Sequence, residues 1–245
     1  MQITRDMKMA EVIHLNYLLL PILTRFNIAL GFGDKTVDEI CREHNVNIDF
    51  FLEIVNSYND KSYFPKKQLQ DFPVGLMVHY LKKTHDYYLN EKIPEIEGMI
   101  NELIKSCTPE NRKNLELIKK FFLDYRNELS THISREDDVT LPYILEVEKA
   151  FNSGSVPEAL NRQMEQYSIE DYAMEHDNVE DKLFDLKNII IKYLPPIRNR
   201  ELCNTILFEL FRLESDLNDH SRMEDKVLTP KVRYMERKLM KSLPR

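Results

Sequence analysis

The spaced pattern His-x3-Glu-x5-Pro occurs twice, at His132/Glu136/Pro142 and at His220/Glu224/Pro230, each time within an apolar helical stripe. Residues four apart lie one above the other on a helix face, so each His and its Glu point the same way. An ionised carboxylate turned into an apolar interior costs several kcal/mol or protonates, unless a cation neutralises it. A buried metal site is therefore the leading expectation, and both copies can serve one site.

The rest of the chain agrees with helix. Only five of 245 residues are glycine, and alternation of apolar and polar residues is nowhere sustained, so the predicted fold class is all-α. Residues 1–60 read as a small helical N-terminal domain. It has short helices around 7–14 and 18–25, then a turn at Gly31-Phe32-Gly33-Asp34. A capping box of Thr36 and Glu39 opens the next helix, which ends near Asn45, and another runs from Asn47 to about Tyr58. A polar, proline-containing stretch, 61–72, is the expected linker. Residues 73–245 then hold four long helical segments. The first runs over about 74–106 with a bend at Pro94, and the second from Thr108-Pro109 to about Phe151. The third follows a turn at 152–155 and ends before Pro195-Pro196, and the last begins near Asn199. Short connections make this an up-down-up-down bundle.

Composition narrows the partners. The net charge is −7 and no Lys/Arg block occurs, which argues against nucleic acid and anionic membranes as partners. No apolar run reaches membrane-spanning length and the first twenty residues do not read as a signal peptide, so the expected location is cytoplasmic. Cys41, Cys107 and Cys203 are far apart in the sequence, which fits a reducing compartment better than a disulfide framework.

Each long segment carries one His on its apolar stripe: His85, His132, His176 and His220. With Glu136 and Glu224 on the second helix of each pair, two helix hairpins related by a pseudo-twofold would gather four imidazoles and two carboxylates. That is a dinuclear ligand set. Iron, manganese and zinc all suit it, with iron favoured inside a helical bundle. His79 falls about 120° round the helix from His85 and receives no ligand role. His14 and His44 are expected in solvent. Tyr125 and Tyr172 are read as core residues, with hydrogen bonding to the site as the alternative.

The segments His79-Tyr-Leu-Lys-Lys-Thr-His85 with Pro94, Leu129-Ser-Thr-His132-Ile-Ser-Arg-Glu136, Met174-Glu175-His176-Asp177 and Asp216-Leu217-Asn-Asp-His220-Ser-Arg-Met-Glu224 resemble the ligand helices of the repair-of-iron-centres family. These are di-iron proteins with a hemerythrin-like bundle. Arg25-Phe-Asn-Ile28 and Lys35 to Cys41 are similar to that family's small leading domain. Gly31-Phe32 stands where the family often has adjacent cysteines. The resemblance implies two non-haem iron ions in an Fe-O-Fe type centre, with the four His terminal and Glu136 and Glu224 bridging. Oxygen-carrying hemerythrins use a fifth His, which is missing here. An open position is therefore implied, one that Glu180 could help fill. The implied role is iron–sulfur cluster repair in nitrosative and oxidative stress, by supplying iron or consuming nitric oxide, with damaged iron–sulfur proteins as partners. The alternative is an oxygen- or nitric-oxide-binding sensor module acting on a signalling partner without turnover.

Overall fold

The computed structural model describes residues 1–174 and 179–242. Among these the fold is all-α, with a single isolated bridge between Lys8 and Thr36. The N-terminal helices are α1 (Met9–Leu15), α2 (Leu20–Arg25), α3 (Val37–Glu43) and α4 (Ile48–Asn59). Thr36 and Glu39 form the expected reciprocal capping box on α3, and Asn47 caps α4 by accepting from the Phe50 N–H. Within the stretch read as a linker, α5 (Lys66–Asp71) is helical, because Leu69 is buried in the core and anchors the turn.

Beyond α5 come α6 (Val74–Tyr87), α7 (Ile93–Lys105), α8 (Pro109–Arg135), α9 (Leu141–Ser153), α10 (Glu158–Gln166), α11 (Ile169–Met174), α12 (Val179–Tyr193), α13 (Arg200–Met223) and α14 (Thr229–Ser242). Gly154 closes α9 in the left-handed conformation at φ 67°, where a side chain would be strained. α7, α8, α12 and α13 pack as a ring of antiparallel neighbours, while α14 packs on α9 and α11, and α6 on α9 and α2.

None of the four expected long segments is one continuous α-helix: the third is broken at Tyr167-Ser168 between α10 and α11, where Tyr167 is extended, and the other three carry π turns. A single π-helical turn joins α6 to α7 (Tyr88–Lys92), α8 to α9 (Glu136–Thr140) and α13 to α14 (Glu224–Leu228). Each lies two residues before a proline: Pro94, Pro142 and Pro230. A proline ring clashes with the carbonyl four residues back and offers no N–H. The residue before each proline instead donates to the carbonyl five back: Ile93 to Tyr88, Leu141 to Glu136 and Thr229 to Glu224. The widened turn absorbs the ring without breaking the helix, so the bend expected at Pro94 takes this form. Such turns recur at functional sites.

The three π turns also divide the hydrophobic interior. One core lies under α7, α8, α12 and α13, with Phe122, Leu129, Leu186 and Leu213 buried. The other joins α6, α9, α11 and α14 to the N-terminal helices, with Met77, Val147, Val232, Phe51 and Val12 in one cluster. Between them lies a polar layer.

Candidate metal centre

That layer is built from the π turns. His85 stands on the last turn of α6, His132 and His220 on the last turns of α8 and α13, and Glu136 and Glu224 open the second and third π turns. Widening the helix at the carboxylate lets each Glu reach inward while its His stays on the same face. His85, Glu136, His220 and Glu224 are all buried, at 1%, 1%, 6% and 3% exposure, and one ligand atom from each lies within 4.8 Å of the others. Four of the six ligands expected from the sequence are thus gathered at one point.

Glu136 connects the group. Its Oε2 lies 3.2 Å from His85 Nε2, and its Oε1 lies 3.1 Å from His132 Nε2 and accepts a hydrogen bond from the Tyr172 hydroxyl. His132, 18% exposed, therefore joins through Glu136 rather than within the tight cluster. His220 Nε2 is 3.3 Å from Glu224 Oε1 and 3.2 Å from His85 Nε2. His176 lies outside the described residues, as does the side chain of Glu180. His79, His14 and His44 are exposed, as expected.

The residue not foreseen is Asp137. Its Oδ1 is 3.0 Å from His85 Nδ1, which fixes the ring so that Nε2 faces the cluster. A signal was present, since an acid follows the Glu in both copies of the repeat: Asp137 and Asp225. Tyr172, read mainly as core, is both core and hydrogen-bond donor. Burial, reinforced by the charges of Glu224 and Glu136, drives its pKa up, so it remains a phenol that donates.

The donor set fits a cation. Burial alone would depress the His85 pKa, but its bonds to Asp137 and Glu136 and the charge of Glu224 lift it to about 9. Two imidazole Nε2 atoms meeting at 3.2 Å repel if both present lone pairs, so a proton or a cation must lie between them, and the adjoining buried carboxylates need a neutralising partner. A metal ion serves both needs, with neutral imidazoles and carboxylates as its ligands. Beside the cluster is a cavity of about 10 Å³, room for about one water, lined by Tyr88, Leu129, His132, Ile133, Glu136, Leu217, His220 and Ser221.

The thiols stand apart from this chemistry. Cys41 is buried and its pKa is pushed up to about 12, so it is a poor nucleophile or ligand. No helix among the described residues is long and apolar enough to cross a membrane.

Helical segments that converge buried imidazoles and carboxylates at one level define a cation-binding helical bundle. Residues 76–232 match the Hemerythrin HHE cation binding domain, and the chain belongs to that family. It is also 19% identical over 232 residues to the iron-sulfur cluster repair protein ScdA of Staphylococcus haemolyticus (strain JCSC1435), covering 92% of this chain and 97% of that protein. The likeness to iron–sulfur cluster repair proteins thus runs through the N-terminal helices as well as the bundle.

Proposed function

We propose that the polar layer holds two non-haem iron ions, with His85, His132, His176 and His220 as terminal ligands and Glu136 and Glu224 bridging. On this reading the chain acts in iron–sulfur cluster repair under nitrosative and oxidative stress, by supplying iron or consuming nitric oxide. The observation that carries it is the placement of Glu136, which offers one carboxylate oxygen to His85 and the other to His132. A carboxylate so placed is suited to span two ions. The similarity to a protein named for iron–sulfur cluster repair supports the physiological role.

When bound, an iron pair would supply redox chemistry and affinity for a diatomic ligand. The chain's own groups prepare the place. Asp137 fixes the His85 tautomer and ring orientation, Tyr172 restrains Glu136, and the two apolar cores keep water from the carboxylates. The small cavity beside His132 and His220 has room for about one water, so a larger ligand would enter it only with movement of the side chains that line it.

Adding the iron-loaded chain to an enzyme whose iron–sulfur cluster has been destroyed by nitric oxide is expected to restore activity, and a Glu136→Gln/Glu224→Gln double variant is expected not to. No recovery with a fully loaded chain would exclude the donor role. A second reading, reversible ligand sensing, is favoured by Gly31-Phe32 in place of adjacent cysteines and by the packing of the N-terminal helices against the bundle. Stable nitric-oxide-dependent spectra without turnover or iron loss would single it out.

A further inference from the structure

One cation of the N-terminal helices reaches close to the metal centre. Arg25 ends α2, and its side chain is fully buried. Nη1 donates to Asp216 Oδ1 at 3.0 Å and Nη2 donates to Asp216 Oδ2. Nη1 also donates to the hydroxyls of Tyr58 and Tyr80, each at 3.2 Å. The rings of Tyr87 and Tyr88 lie 5.0 and 5.6 Å from the guanidinium carbon, within cation–π range. A single guanidinium thus ties α2 and α4 to α6, the first π turn and α13.

These partners sit next to the ligands. Asp216 precedes His220 by four residues, one turn away on the same face of α13. Tyr88 follows His85 by three residues, and its ring meets the His220 imidazole edge-on at 5.9 Å. The two helices whose imidazoles approach to 3.2 Å are therefore fastened together within a turn of that contact by a residue from outside the bundle. A buried guanidinium is costly unless well paired, and its planar fork matches a carboxylate in a way a lysine ammonium cannot.

We propose that Arg25 is a positioning residue for the metal centre: through Asp216 and Tyr88 it holds α13 against the first π turn and sets the approach of His220 to His85. The metal arm of its test rests on the reading of the cluster as a metal site, whereas the metal-free arm does not.

The test uses the full-length chain with Arg25→Lys, and Asp216→Asn as a second variant should the first fail to fold. In the metal-free protein, histidine side-chain 15N spectra are expected to show the His220 resonances displaced in both variants, with helical circular dichroism unchanged. Unmoved His220 resonances in a folded variant would overturn the proposal. Cobalt(II) titration is expected to show affinity weakened about tenfold or more and an altered ligand-field spectrum. Wild-type affinity and spectrum in a folded variant would equally overturn it. A wild-type chain that takes up no cobalt would count against the metal reading, leaving the histidine spectra to decide on Arg25.

Discussion

Asp137 and Leu129 test the site one side chain at a time. Asp137 holds His85 through Nδ1, so Asp137→Ala is expected to leave the fold intact while lowering metal affinity about 10–100-fold. Competition titration against a chelator measures this, and unchanged affinity would remove Asp137 from the site. Leu129 lines the small cavity, and Leu129→Phe is expected to slow nitric oxide binding with metal content unchanged, read by stopped-flow absorbance. Ligand candidates were legible in the sequence because the His-x3-Glu spacing recurs on two apolar faces and a His stands on each of the other two, whereas a single such pair is an ordinary helix feature. Asp137 was less legible, since a run of acids, Glu136-Asp137-Asp138, reads as a solvated helix end until the π turn bends it inward.

At the scale of elements, helix ends were legible wherever a cap or a proline marked them. Asn199 before α13, Thr36 before α3 and Thr108-Pro109 before α8 fell where the sequence placed them. The π turns were not, because a proline says only that the ordinary helix bond is lost and not how the chain repairs it. One of these turns carries a clasp: Lys92 of the first π turn bonds Glu209 of α13 at 2.7 Å and also Glu95. Burial would raise the Glu209 pKa, but the bond from Lys92 and the charges of Lys92 and Arg212 overcome this and lower it. A carboxyl depressed in the folded state contributes stability above its unfolded value, and that contribution is lost as pH falls through the folded pKa. The thermal midpoint of the metal-free wild type is therefore expected to fall more steeply below about pH 4.5 than that of Glu209→Gln. Parallel pH profiles for the two would dismiss the clasp.

For the whole molecule, the notable fact is where the cores lie. The polar, proline-bearing stretch 61–72 reads as a linker, and the apolar surfaces of the N-terminal helices and of α6, α9 and α14 form one cluster on either side of it. Nothing local in a sequence reports which helix faces will meet across such a distance. The metal-free chain is accordingly expected to unfold without releasing residues 1–60 first, with circular dichroism and hydrogen exchange in α4 and α9 changing together. Early loss of protection in α4 alone would show the N-terminal helices to be a separate folding unit.

The central claim is that the polar layer between the two cores binds metal through the buried His and Glu residues. Its most direct test is iron content per chain after anaerobic reconstitution, measured together with Mössbauer spectra, for wild type and for His85→Ala, His132→Ala, His176→Ala, His220→Ala, Glu136→Gln and Glu224→Gln. About two irons are expected in wild type, with substantial loss in every variant. A wild type that takes up no iron, or variants that load as fully as it does, would contradict it.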